Sequence, residues 1–183
     1  SGLRKTLDAP VHAGSLAAFR VLFGLLGLFS SARFLWEGWV DVAFVQPTYH
    51  FHFYGFEWVS VLAPTWMYVA FGVLILCSLA IIAGLFFRAS IITFFVVFTY
   101  VELIDVTNYL NHYYLVSLLA LLLCCMPLGY TYGLDGVRNP DRARHSVPRW
   151  MIWALRVQIS VVYFYAAVAK TGPDWLIHGQ PMG

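Results

Sequence analysis

The sequence predicts an all-α protein, a bundle of about five helices that cross a membrane. Of the 183 residues, 61% are hydrophobic and only 11% are charged, against roughly 25% charged residues in an ordinary soluble domain. The apolar residues form continuous runs rather than alternating with polar ones, which favours membrane helices over a transmembrane barrel. A soluble fold of this length has too little interior for so many apolar side chains. Lipid is therefore the solvent that fits the composition.

Five apolar runs are candidates for membrane spans, since a helix needs about 20 residues to cross the hydrocarbon core. In chain order the runs cover residues 15–36, 66–87, 89–104, 110–126 and 150–170. The third and fourth runs are short. We expect their helices to be less tilted than the others, or to be extended by flanking residues that hydropathy does not mark.

The basic residues predict the orientation of the bundle. If the spans alternate, seven of the eleven Lys and Arg residues fall on one side, namely Arg4, Lys5, Arg88, Arg138, Arg142, Arg144 and Arg149. The loops of the other side contain acidic residues. The positive-inside rule then places the amino terminus in the cytoplasm and the acidic loops on the outer, periplasmic or lumenal, side. A net charge of +2 without a basic run also excludes nucleic-acid binding as the main role.

The predicted outer side collects polar residues between the third and fourth spans. Glu102 and Asp105 would share a helix face if the third helix extends that far. Asn111 and His112 stand directly before apolar sequence, at a boundary where an unpaired polar group is costly. The alternative interpretation is a solvated turn with capping residues.

The loop between the first two spans is rich in aromatic residues, which are typical of the membrane interface. His50 and His52 lie among them. We expect no metal site there, because no third ligand has suitable spacing. The three cysteines fall inside predicted spans and are expected to act as small apolar side chains.

The fifth span has one polar face, because Arg156, Tyr163 and Lys170 recur every seven residues, a spacing that drifts only about 20° per step. Ionisable residues within a membrane are functional by default. Apolar surroundings favour the neutral form of an amine, so Lys170, at the outer end, is a candidate general base. For Arg20 and Arg156 we expect snorkelling or a bound anionic lipid headgroup.

Four segments together resemble a known family. They are residues 15–24 (SLAAFRVLFG), residues 66–68 (WMY), Asp105 with residues 111–115 (NHYYL), and residues 163–170 (YFYAAVAK) followed by Asp174 and Trp175. In order and spacing they resemble the vitamin K-dependent gamma-glutamyl carboxylase family, which also gives its name to the horizontally transferred transmembrane domain. By this resemblance, residues 1–183 are expected to be the N-terminal transmembrane part of a longer, prokaryotic protein.

The resemblance implies an enzyme of the peptidyl-glutamate 4-carboxylase type. Such an enzyme oxygenates vitamin K hydroquinone to its epoxide with O₂ and couples this reaction to carboxylation of glutamate by CO₂. Lys170 would be the base that deprotonates the hydroquinone, and His112 a second catalytic residue. The residues expected to bind the quinone are Asn111, Asp105, Tyr163 and Asp174. No metal is expected, and the implied partners are membrane lipid, a quinone and a glutamate-containing protein substrate.

Two other functions stay open at this point. The fold alone would also suit a non-catalytic membrane module that binds a quinone or a lipid. Lys170 separates this module from the enzyme, because a structural module has no need of an amine at that depth. A proton-coupled transporter would also use a polar helix face, but five spans without a visible inverted repeat argue against it.

Overall fold

The computed structural model of the chain describes residues 2–171, and these residues are folded almost entirely as helices. The seven α-helices are α1 (Gly2–Leu7), α2 (Gly14–Trp36), α3 (Pro64–Ala83), α4 (Phe87–Leu103), α5 (Asn111–Cys124), α6 (Leu134–Arg138) and α7 (Arg149–Ala169). Two short strands, β1 (Pro10–His12) and β2 (Ser146–Pro148), pair as a two-stranded sheet. Single turns of 3₁₀ helix follow α4, α5 and α6, and a short π-helix (Asp41–Val45) follows α2. The predicted all-α class is confirmed.

The number of membrane spans is lower than the sequence predicts. In the described part of the chain, three helices are long and apolar enough to cross a membrane: α2, α3 and α7, with 23, 20 and 21 residues. The helix α5 is a shorter apolar helix of 14 residues, and α4 has 17. At 1.5 Å per residue, α4 and α5 are about 26 and 21 Å long, less than the hydrocarbon core of about 30 Å. The prediction of about five spans is therefore corrected to three or four.

The chain divides into two compact units. The larger unit, residues 10–147, contains the helices α2 to α6. Within it α2 packs on α3, α3 on α4, and α4 on α5. We call the end of this unit that carries Glu37, Asp41 and Asp105 the acidic end. The end that carries Arg88, Arg138 and Arg142 is called the basic end.

The helices α2 and α3 approach each other closely because α2 presents glycines to its neighbour. A Cβ on Gly24 would lie 2.6 Å from Cγ1 of Ile82 and 3.0 Å from the carbonyl oxygen of Ser78. A Cβ on Gly27 would lie 2.9 Å from Oγ of Ser78. Small residues at a helix interface are a common means of close packing between membrane helices.

Arg20 holds the basic end together from inside the bundle. Its side chain is only 2% exposed, and its Nη1 donates to the carbonyl oxygens of Leu128 and Thr131 at 2.8 and 3.0 Å. Its Nη2 donates to the carbonyl oxygens of Tyr132 and Ile82 at 3.0 and 3.5 Å. The structure thus gives Arg20 a structural role, in place of the snorkelling or lipid contact that the sequence suggested.

Asp135 fixes the start of α4 at the same end. Its two carboxylate oxygens accept hydrogen bonds from the backbone N–H groups of Phe86 and Phe87, at 2.8 and 2.9 Å. These amides have no partner within the helix, and the carboxylate also complements the positive end of the helix dipole. Phe86 has a φ of 44°, a left-handed conformation in which this carboxylate holds the chain.

The described part of the smaller unit consists of α1 and α7. The backbone N–H of Arg149, at the start of α7, donates to the carbonyl oxygen of Ala9 at 3.0 Å. Met151 and Leu155 are buried, whereas every described residue from 160 to 171 is exposed. The guanidinium of Arg156 lies over the ring of Trp153, with its Cζ 5.8 Å from the ring centroid.

Candidate functional site

The site residues that the sequence predicts fall in both units. Asp105, Asn111 and His112 lie at the acidic end of the larger unit, where α4 ends and α5 begins. Tyr163 and Lys170 belong to the smaller unit, on α7 and directly after it. Asp174 lies outside the described residues. The structure therefore brings three of the six predicted residues to one end of one unit.

The acidic end contains a cavity of about 400 Å³, which we call the acidic-end cavity. Its walls come from α2, α3, α4, α5 and the turns that follow α2 and α4. Most of the lining is apolar or aromatic, including Phe34, Phe44, Phe71 and Phe98. Polar side chains line one part of it, namely Ser30, Ser31, Glu102, Thr107, Asn108 and Tyr113. A mainly apolar pocket with a few convergent polar groups is typical of a small-molecule site.

A second, smaller cavity of about 210 Å³ shares Ser30, Phe98 and Tyr113 with the first. His112 and Arg33 line it. The His112 ring contacts the Tyr113 ring edge to face, with the centroids 4.5 Å apart. His112 thus stands beside the polar part of the acidic-end cavity, and Tyr113 connects the two spaces.

Arg33 also takes part in this arrangement. Its guanidinium lies over the ring of Trp39, with the Cζ 4.5 Å from the ring centroid. Trp39 in turn lines the acidic-end cavity. Tyr113 lines the first cavity together with Glu102 and the second together with Arg33, so the phenol borders both a carboxyl group and a guanidinium.

Asp105 is buried below the surface of the acidic end and is only 4% exposed. Its Oδ1 accepts hydrogen bonds from the backbone N–H and the hydroxyl of Thr107, at 2.9 and 2.7 Å. Its Oδ2 lies 3.1 Å from Nδ1 of His50. The backbone N–H of Val106 donates to the carbonyl oxygen of Phe51 at 2.8 Å. Asp105 thus ties the aromatic loop after α2 to the turn between α4 and α5.

These bonds stabilise the ionised form of the carboxyl. Burial by itself raises the pKa of Asp105, but the hydrogen bonds from Thr107 and His50 outweigh it and hold the pKa below its ordinary value. The expected role of Asp105 in quinone binding stays a prediction, and the contacts add a positioning role. His50 was not expected to be part of the site. In the part of the chain that the structure describes, no group of three or more His, Cys, Asp or Glu residues could hold a metal ion.

Lys170 caps the end of α7, where its backbone N–H donates to the carbonyl oxygen of Ala167 at 3.0 Å. The side chains around it on the helix are apolar or aromatic and exposed. Tyr163, two turns earlier, is 72% exposed. The amine thus stands at the end of a 21-residue apolar helix, a position that corresponds to a membrane boundary.

The long apolar helices define a polytopic helical membrane domain. The sequence matches the model of the HTTM domain over residues 9–183. The chain therefore belongs to the HTTM domain family, and this domain is that of the vitamin K-dependent gamma-carboxylase family. The resemblance drawn from the sequence segments is confirmed. No solved structure matches the chain.

Proposed function

We propose that the chain is the membrane part of an enzyme that oxygenates vitamin K hydroquinone to the epoxide and couples this reaction to carboxylation of glutamate. The observation that carries the proposal is the acidic-end cavity, where aromatic walls meet Glu102, Asn108 and Tyr113. Family membership supports it, since the HTTM domain is the domain of the gamma-carboxylase family. We further propose that this end faces the periplasm or the lumen and that the amino terminus is cytoplasmic, as the distribution of Lys and Arg favours.

The chemistry of the cavity suits a hydroquinone. Its volume of about 400 Å³ falls within the range of small-molecule pockets, roughly 300–1,000 Å³. Phenylalanine rings such as Phe71 and Phe98 offer edge and offset contacts to a flat bicyclic ring. The carboxylate, amide and phenol that line the polar part supply both acceptors and donors for two hydroxyl groups. His112, Asn111 and Asp105 are proposed to complete or position this polar part.

Lys170 is the proposed base. Its Nζ would take the proton from a hydroquinone hydroxyl. O₂ then adds to the resulting anion, and the strongly basic oxygenated product removes a γ proton from glutamate. CO₂ traps the carbanion, and the quinone leaves as its epoxide together with water. Tyr163, on the same face of α7, and Asp174 are proposed to contact the quinone.

The test is an epoxidation assay on the full-length protein in membranes, supplied with reduced vitamin K and O₂, with the epoxide measured by chromatography. Lys170→Ala should abolish epoxide formation while expression is unchanged. Arg156→Ala is the matched control, since it removes a cation from the same face of the same helix and should keep the activity. Lys170→Arg should not restore activity, because a guanidinium does not give up its proton in proteins.

The outcomes separate the competing functions. If Lys170→Ala forms the epoxide at the wild-type rate, Lys170 is not the base. A folded wild-type protein that binds reduced vitamin K but forms no epoxide would indicate a non-catalytic quinone- or lipid-binding module.

A further inference from the structure

The basic end contains a cavity of its own, with a volume of about 490 Å³. It lies between the start of α4 and the segment that runs from Pro127 to Arg142, all within the larger unit. We call it the basic-end cavity. Three arginines line it, namely Arg88, Arg138 and Arg142, together with Tyr130 and Asn139.

The described lining of the cavity has a surplus of positive charge, since it contains three arginines and one carboxylate. Asp135 is the only carboxylate among its described lining residues. Both of its oxygens are occupied by the backbone N–H groups of Phe86 and Phe87. Arg142 has only a long contact of 3.5 Å, from its Nη1 to the hydroxyl of Tyr130. The three guanidinium groups therefore keep donors for an anion from outside.

The surface around the cavity is apolar as well as basic. The guanidinium of Arg138 lies over the ring of Phe86, with its Cζ 4.6 Å from the ring centroid, and that ring is 60% exposed. On the short helix α6, Leu134 and Val137 are 44% and 74% exposed, and they line a neighbouring cavity that shares Tyr130 with the basic-end cavity. A headgroup anion at the arginines would thus have acyl chains beside exposed apolar side chains. This combination is the one that favours lipid over a fully hydrated ligand.

We propose that the basic-end cavity binds a phosphate-bearing anion, and that its ligand is the headgroup of an anionic phospholipid. Guanidinium groups match phosphate oxygens in geometry and can bind them in pairs. The site is distinct from the acidic-end cavity, and it does not depend on the proposed catalytic function.

The experiment uses the full-length protein in a neutral detergent, titrated with dioleoylphosphatidylglycerol or dioleoylphosphatidylcholine, with bound lipid counted by native mass spectrometry. The variant R88Q/R138Q/R142Q removes the arginines of the cavity. The control R4Q/R144Q/R149Q removes three positive charges outside it. Each of the three arginines contributes to the attraction of an anionic lipid, and the cavity variant loses all three contributions. It should therefore bind phosphatidylglycerol about a hundred-fold more weakly than wild type. The control should stay within about three-fold of wild type, since its charges lie outside the cavity.

A second titration with inorganic phosphate, in delipidated protein, identifies the source of the anion. Tighter binding of phosphatidylglycerol than of either phosphate or phosphatidylcholine supports the lipid as ligand. Equal binding of phosphate and phosphatidylglycerol supports the anion site but overturns the lipid assignment. Equal losses in the two triple variants, or no loss in either, would overturn the site altogether.

A smaller change keeps the test decisive if the triple variant does not fold. Arg88→Gln alters one exposed side chain of the cavity, and Arg144→Gln is its control. A loss of about five-fold is expected for the first alone, and equal affinities for the two single variants would contradict the proposal.

Discussion

Replacement of Arg20 by alanine should strongly destabilise the larger unit. The side chain is 2% exposed, and it donates to four carbonyl oxygens that belong to distant parts of the chain. Two of these carbonyls belong to Leu128 and Thr131, residues that are themselves completely buried. Without the guanidinium, these two acceptors lose their partner in a region that water reaches poorly.

The magnitude follows from those two buried acceptors. A buried polar group left without a partner costs about 1–3 kcal/mol, so the two together cost about 2–6 kcal/mol. We leave the Tyr132 carbonyl out of this sum because that residue is exposed. For a domain of this size each kcal/mol lowers the melting temperature by about 2–4 °C. A central value of about 4 kcal/mol then predicts a fall of about 8–16 °C.

The assay is thermal unfolding of the purified protein in detergent, with Arg33→Ala as the control. Arg33 is an exposed arginine near the other end of the same helix, where it contacts Trp39, and its loss should cost no more than about 1 kcal/mol. Gly84→Ala tests the same buried region through a residue that lies against the Arg20 guanidinium. A Cβ there would lie 2.6 Å from Nη1 of Arg20, so the two substitutions should be non-additive. A melting temperature for Arg20→Ala equal to that of Arg33→Ala would refute this account.

Two further outcomes are expected from the larger unit. Gly24→Val should prevent the close packing of α2 on α3, because even a Cβ at that position would lie 2.6 Å from Cγ1 of Ile82. The control is Ala18→Val, on an exposed part of α2. Equal yields of folded protein for the two variants would contradict the packing argument. The ionised carboxyl of Asp105, whose pKa is below the ordinary value of 3.8, stabilises the fold above that value, and the contribution is lost as the pH falls through the lowered pKa. Melting temperatures between pH 6 and pH 3 should therefore fall more steeply for wild type than for Asp105→Asn, and parallel curves would exclude this role.

Much of the fold was accessible from hydropathy alone. The runs at residues 15–36, 66–87 and 150–170 correspond to α2, α3 and α7, with shifts of a few residues at their ends. The third and fourth runs give real helices, but hydropathy does not mark where a helix ends inside an apolar stretch. Cys125 and Met126, for example, continue the fourth run although α5 ends at Cys124. The number of spans was overestimated because these two runs, both shorter than about 20 residues, were counted as spans.

The contacts that define the two ends could not be read from the sequence. Asp105 and His50 are 55 residues apart, and no local pattern links an aromatic loop to a particular turn. Arg20 is bonded to backbone carbonyls more than a hundred residues away. Every residue has a backbone carbonyl, so the sequence does not indicate which carbonyls an arginine binds. The sequence therefore predicted snorkelling or a lipid contact for Arg20 and not its bonds within the bundle.

The two ends of the larger unit use polar side chains in two different ways, and this difference supports the proposed ligand sites. Arg20 and Asp135 are bonded to backbone groups of the bundle itself, so their charges stabilise the fold. Glu102, Arg33 and His112 instead line open cavities, where their charges and hydrogen-bonding groups are available to a ligand. Arg88, Arg138 and Arg142 likewise line an open cavity, which is why we propose a ligand for the basic-end cavity as well as for the acidic-end cavity.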